Sequence, residues 1–184
     1  MSNNDIKLSR LLSLILRHKP ETIGIKLDEH GWADVKEMIT GIRAYGRQVD
    51  MATLERIVAG DDKQRYSFND ERTKIRANQG HSVKVDVELK ECEPPDILYH
   101  GTASRFLDSI RAKGILKQKR HHVHLSADKQ TAFAVGKRHG TSAVLLIDAK
   151  KLAERGHRFY LSANGVWLCD DIPWEGVEGV EYAK

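Results

Sequence analysis

Pro94 and Pro95 stand side by side. Two consecutive residues without a backbone N–H, each with φ fixed near −65°, end any helix or inner strand that reaches them. The chain is therefore built as two runs of structure, and the hydrophobic patterns of the two runs differ. Ahead of the prolines, Leu8, Leu11, Leu12 and Ile15 recur at i, i+3, i+4 and i+7, the spacing of a helix with one buried face. Ser2, Asn3, Asn4 and Asp5 can cap it, and Pro20 stops it, so a helix is predicted over about residues 5–18. Arg17 and His18 then stand at its C-terminal end, where the helix dipole favours cations by about 0.3–1 kcal/mol. A second helix follows Asp34 through Val35, Met38, Ile39 and Ile42 to Gly46. A third follows Asp50 through Leu54, Ile57 and Val58 to Gly60.

RYSFNDERTKIRA then alternates around a polar Asn69-Asp70 turn, the pattern of a β-hairpin. Three helices followed by a basic hairpin suggest a winged helix, and residues 1–90 are assigned to a small nucleic-acid-binding lobe. VKVDVELK alternates at Val83, Val85, Val87 and Leu89 and reads as a strand running into the prolines.

Beyond the prolines the apolar runs are short. Strands are expected near 96–102, 121–126 and 142–148, as a pair RFYLS and VWLCD around Ala163-Asn164-Gly165, and at VEYA near the end. Helices are expected from Ser104 to Lys113, ended by Gly114, and from Ala127 to His139 with Ser126 as cap. The fold class is α+β, and residues 96–184 form a second, mostly-β lobe.

Composition narrows the functions. MSNNDIKLSR lacks the apolar core of a signal peptide, and no stretch approaches the roughly 18 apolar residues of a membrane span. A cytoplasmic protein away from membranes is expected, and nothing demands more than a monomer. Cys92 and Cys169 are the only cysteines and form no CxxC, so reduced, ordinary thiols are expected. His121, His122, His124 and His139 fall close together, yet no Asp, Glu or Cys joins them at ligand spacing, and no metal is expected. A histidine ribonuclease site with Lys119 or Arg120 holding phosphate remains chemically open.

The net charge of +4 permits a polyanionic partner. Lys63, Arg65, Arg72, Lys74 and Arg76 crowd residues 61–76 among four acids, and KQKRHHVH at 117–124 contains no acid. These stretches are the candidate anion sites. No GxGxxG or GxxxxGK[ST] is present, so a nucleotide would be held without a Rossmann or P-loop motif. His100-Gly101-Thr102 lies where a strand gives way to a helix, a place where glycine lets backbone come close to a ligand.

Eight strings, in order and spanning almost the whole chain, resemble the RNA 2′-phosphotransferases of the KptA/Tpt1 type. They are LSLILRHKPETIGI, GWADV, KQRYSF, RANQGHS, LYHGTASRFLDSI, RHHVHLSAD, GKRHG and NGVWL. The resemblance implies a winged-helix RNA lobe and a lobe with the ADP-ribosyltransferase fold, which binds NAD⁺ without a Rossmann motif. It implies transfer of an internal RNA 2′-phosphate, as in spliced tRNA, to NAD⁺ as co-substrate. A 2′-phospho-ADP-ribosylated RNA is the intermediate. The products are 2′-OH RNA, nicotinamide and ADP-ribose 1″,2″-cyclic phosphate.

By the same resemblance Arg17, His18, Arg65 and Arg120 are the catalytic set, which requires residues of both lobes to act on one phosphate. His100, Gly101, Thr102, His124, Leu125, Ser126 and Val166 line the nicotinamide-ribose side, and Arg138 and His139 reach toward the pyrophosphate. Guanidinium groups suit a 2′-phosphate of about −1.5 to −2 charges, since they offer paired, permanently charged donors. The broader transferase family carries His, Tyr and Glu; here His100 fits the first, His124 replaces the Tyr, and Val166 occupies the Glu neighbourhood. An acceptor that is already anionic needs no carboxylate to deprotonate it. The alternatives are a one-step ADP-ribosyltransferase acting on a nucleic-acid phosphate or a protein, and a winged-helix nucleic-acid-binding protein without catalysis.

Overall fold

The structure, a computed structural model, describes residues 2–183. Contacts divide the chain into two units, Met1–Glu88 and Leu89–Lys184. Among the described residues there are six α-helices and three small antiparallel sheets, a mixed α+β chain. No helix among the described residues is long and apolar enough to cross a membrane.

Helix α1 (Asn3–Arg17) opens the first unit. Ser2 and Asp5 exchange side-chain and backbone hydrogen bonds as a capping box, which satisfies N–H groups the first helical turn cannot pair internally. Its face of Leu8, Leu12, Ile15 and Leu16 is buried. The helix stops at His18, ahead of a 3₁₀ turn over Pro20–Ile23. Strand β1 (Ala33–Asp34) follows, then α2 (Val35–Ala44) capped by Asp34 and α3 (Met51–Ala59) capped by Asp50. The hairpin of β2 (Tyr66–Phe68) and β3 (Lys74–Ala77) turns through residues 69–73 as expected, and β1 adds to β3 to give the order β1-β3-β2. Met38, Ile42, Leu54, Ile57 and Ile75 join the α1 face in one core.

The strand expected at VKVDVELK does not form. Residues 83–89 run without strand pairing, and only β4 (Lys90–Glu91) pairs. Period-two burial persists there, with the valines half-covered and the charged residues exposed. Two of the valines rest on Gly31. Alternation reports which side is covered and does not by itself supply a neighbouring strand.

In the second unit β5 (Ile97–Ala103), β7 (Ser142–Asp148) and β10 (Val177–Tyr182) form one sheet with β7 in the centre. Strand β7 is buried almost throughout, hence its unbroken apolar run. β6 (Val123–Leu125), β8 (Phe159–Leu161), β9 (Trp167–Cys169) and β4 form the other sheet, ordered β4-β8-β9-β6. Leu98, Val123, Leu125, Leu145, Phe159 and Cys169 belong to a common core. Burial pushes the Cys169 thiol up to about 12, so it stays protonated.

The helix expected from Ser104 begins as a 3₁₀ turn and continues as α4 (Leu107–Lys113). The helix expected at Ala127–His139 is shorter: α5 (Lys129–Gly136) followed by a 3₁₀ turn at Lys137–His139. Its cap is Asp128, whose carboxylate accepts from the Thr131 N–H at 2.7 Å, and not Ser126. Ser126 is taken up by a backbone bridge to Tyr99. A further helix, α6 (Ala149–Glu154), is capped by Asp148.

Candidate active site

Each unit gathers its own share of the residues singled out above. In the first, Arg17 closes α1 and His18 follows as its C-cap. The Arg17 carbonyl accepts from the N–H groups of Ser82 and Val83, at 2.9 and 3.3 Å, which satisfies an end the helix leaves open. The Ser82 hydroxyl lies 2.9 Å from His18 Nδ1. Four residues earlier the same segment reaches the hairpin. The Asn78 N–H donates to the Arg65 carbonyl at 2.8 Å, and its buried side-chain amide donates to the Gln64 carbonyl at 2.6 Å while accepting from Ser67. Residues 78–82 therefore bind both the end of α1 and the start of β2, fixing Arg17, His18 and Arg65 on one piece of backbone scaffold.

Arg65 is held still more closely. Asp61 is buried, at 5% exposure. One carboxylate oxygen accepts the Arg65 backbone N–H at 2.6 Å and the other pairs with its guanidinium. Gln64 between them takes φ 43°, a left-handed conformation that costs a non-glycine residue free energy and is kept here by the bonds around it. Neither Asp61 nor Asn78 had stood out in the sequence. Asp61 lies four residues before Arg65, and nothing local marks it as different from Asp62.

The remaining hairpin cations are not open anion sites. Arg72 pairs with Glu55, Lys74 with Asp28 and Arg76 with Glu88, and Arg76 also covers the Trp32 ring at 4.4 Å. In the 117–124 stretch Lys117 pairs with Asp170.

In the second unit the Tyr99–Ser126 bridge joins the two sheets, with N–H···O distances of 2.9 and 2.8 Å in its two directions. It sets His100-Gly101-Thr102 of β5 beside His124-Leu125-Ser126 of β6 and its exit. His100 Nδ1 lies 3.1 Å from the His124 carbonyl. A carbonyl only accepts, so Nδ1 carries the proton and Nε2 keeps its lone pair. Burial lowers the His100 pKa against the opposing effect of that hydrogen bond, and the Arg120 charge lowers it further. His100 is therefore a neutral acceptor near neutral pH. Desolvation also lowers Arg120, but a guanidinium stays charged.

Gly101 has a structural reason of its own. A Cβ there would collide with the Ala132 carbonyl of α5, and one on Gly136 would meet the Thr102 carbonyl and the Ser142 hydroxyl. The close approach that glycine allows at 101 is made by helix α5. Thr102 is buried and Leu125 is 2% exposed within the core, so both serve the packing of the second unit. Val166 closes the β8–β9 turn, its N–H bonded to the Ser162 hydroxyl at 3.0 Å. Arg138 and His139 are exposed on the 3₁₀ turn after α5. No group of three or more His, Cys, Asp or Glu side chains suited to a metal occurs among the described residues.

Residues 3–171 match the family of RNA 2′-phosphotransferases, Tpt1/KptA. The chain is 56% identical over 172 residues to a probable RNA 2′-phosphotransferase of Fusobacterium nucleatum, covering 93% of this chain and 96% of that one. It is 47% identical over 179 residues to the protein of the same description from Flavobacterium johnsoniae, covering 97% and 98%. The Escherichia coli counterpart is 47% identical over 171 residues, covering 92% and 93%. A match that runs through nearly the whole of each chain places this protein in the Tpt1/KptA family of RNA 2′-phosphotransferases.

Proposed function

We propose that the enzyme removes an internal 2′-phosphate from RNA, spliced tRNA being one such substrate, by transferring it to NAD⁺ in two steps. In the first, a 2′-phosphate oxygen bonds to the anomeric carbon of the nicotinamide ribose as the bond to nicotinamide breaks. In the second, the neighbouring 2″-hydroxyl oxygen attacks the phosphorus, the RNA 2′-oxygen leaves and takes up a proton, and ADP-ribose 1″,2″-cyclic phosphate departs. Arg17, His18, Arg65 and Arg120 hold the phosphate. Each charge-assisted hydrogen bond contributes about 1.5–3 kcal/mol and fixes the phosphate in line with the ribose carbon. The same donors meet the charge that builds on phosphorus in the second step.

The observation that carries this reading is the 78–82 segment, which ties the Arg17-His18 helix end and Arg65 to one rigid support. A site for a small, highly charged group requires such preorganisation. Helix, short strand, two helices and hairpin, with β1 paired to β3, support a winged-helix RNA lobe in the first unit. In the second unit, read as an ADP-ribosyltransferase-like lobe, His100 with Nε2 unprotonated suits a ribose hydroxyl donor of NAD⁺. His124, Ser126, Val166, Gly101, Thr102 and Leu125 are assigned to the nicotinamide-ribose side, and Arg138 and His139 to the pyrophosphate. The protein acts as a monomer without a metal.

The test compares Arg65→Ala and Arg120→Ala with Lys74→Ala in turnover of a 2′-phosphorylated RNA and in RNA affinity. The two arginine variants should lose turnover by far more than affinity, and Lys74→Ala should stay near wild type. Equal losses in turnover and affinity would assign both arginines to binding alone.

A further inference from the structure

The first unit carries exposed cations on α1 ahead of Arg17 that the phosphate site does not use. Between Ser2 and Pro20 the only acid is Asp5, and it is buried against Arg56 at 3.0 Å. No acid of α1 thus faces outward. Lys7, Arg10 and Leu14 follow at i, i+3 and i+7 on that face, and the half-buried Arg17 closes the helix one turn further on. Lys7 and Arg10 are exposed and have no ion pair among the described residues. The contrast with the hairpin, where Arg65, Arg72, Lys74 and Arg76 are all paired to acids, is sharp.

At the N-terminal end of this stripe α1 meets the loop between α2 and α3. There Asn4, Lys7, Leu11, Tyr45, Arg47 and Gln48 line an open groove. Tyr45 is 53% exposed, Arg47 has no ion pair among the described residues, and no acid lines the groove. An exposed aromatic ring flanked by two uncompensated cations and by amides is the chemistry that stacks a nucleobase and neutralises its phosphates. Ten residues of helix separate Lys7 from Arg17, about 15 Å at 1.5 Å per residue, so the groove lies a few nucleotides from the reacting phosphate.

We propose that single-stranded RNA flanking the 2′-phosphorylated nucleotide tracks along α1, over Arg10, and stacks a base on Tyr45 in the groove between Lys7 and Arg47. This rests on the reading that Arg17 belongs to the 2′-phosphate site. The occupant is an RNA strand because Lys7, Arg10 and Arg47 present charge of one sign beside an exposed aromatic ring; an acidic protein would need no aromatic platform.

The test uses two synthetic RNAs, each with one internal 2′-phosphate: a trinucleotide, and a strand extended by several nucleotides on both sides. Tyr45→Ala, Lys7→Ala and Arg47→Ala are compared with Lys74→Ala, all four positions being exposed. The wild-type enzyme should show a lower KM for the long RNA. Tyr45→Ala should raise that KM at least about fivefold, the lower end of the effect of one base–aromatic stack, with kcat and the trinucleotide constants unmoved. Each removed cation should reduce the salt slope of long-RNA binding by about 0.7. A long-RNA KM that matches wild type in all three groove variants, or no length effect in the wild type, overturns the proposal. If neither RNA is turned over at all, the phosphotransferase reading fails separately. Fluorescence anisotropy on the long RNA then still decides the groove: weakened binding in the variants supports it, and equal binding overturns it.

Discussion

Replacing Asp61 by asparagine keeps the side chain's shape but removes the charge that faces the Arg65 guanidinium. The Asp61 side chain is 4% exposed and that of Arg65 29%, so the pair lies between two measured regimes. Breaking a fully buried pair costs about 3–5 kcal/mol, and an exposed pair contributes only about 0.2–1 kcal/mol. Asparagine retains an oxygen for the Arg65 N–H but turns an amide toward the guanidinium, so a loss of about 1–3 kcal/mol is expected. A cooperative unit of this size shifts its Tm by about 4–8 °C per kcal/mol, well within reach of a calorimetric melt.

Turnover discriminates further. A guanidinium released from its support forfeits about one charge-assisted hydrogen bond to the transition state, about 1.5–3 kcal/mol. That corresponds to roughly a 10- to 150-fold fall in kcat. The kinetics are measured well below the variant's melting temperature, so that unfolding does not contribute. A lowered Tm with kcat within about twofold of wild type would refute the reasoning, because Asp61 would then support the fold without positioning Arg65.

Two other expectations follow from the geometry. Gly101→Ala drives a methyl group into the Ala132 carbonyl and should destabilise the second unit by about 1–3 kcal/mol or more; a melt unchanged from wild type would show that α5 yields freely. Asp5 is held at about 2, first by its hydrogen bond from Arg56 and then by the Ser2 N–H. A depressed carboxyl stabilises the fold above its unfolded pKa and loses that contribution as pH falls through its folded pKa. Asp5→Asn should therefore lower the Tm at neutral pH, and the gap to wild type should close as pH drops from about 4 to about 2. A gap constant over that range would remove the ion pair from the account.

The elements were legible wherever a local signal was complete. Asp34 and Asp50 announced α2 and α3, Gly60 and Gly114 the ends of α3 and α4, and the apolar run at 142–148 a strand. Strand β1 was not legible, since two residues carry no period and form a strand only because β3 lies beside them. VKVDVELK misled for the opposite reason, having the period without the partner. The moved α5 cap reflects competition: Ser126 and Asp128 both suit a cap, and the Tyr99 bridge had claimed the backbone at Ser126. The site divides in the same way. The catalytic and cofactor candidates came from a family resemblance, whereas the residues that hold them, Asp61, Asn78 and Ser82, act through contacts that sequence spacing does not encode. Gly101 carried a legible need for close approach, but the partner was a helix.

The central claim is that the phosphate leaves the RNA on NAD⁺. Incubating the enzyme with NAD⁺ and an oligonucleotide bearing one internal 2′-phosphate, and following RNA and small products by mass spectrometry, tests it directly. The proposed reaction yields RNA with a free 2′-hydroxyl, nicotinamide and ADP-ribose 1″,2″-cyclic phosphate in equal amounts, and none of these without NAD⁺. Release of inorganic phosphate without NAD⁺, or an ADP-ribosylated RNA that never resolves, would contradict it.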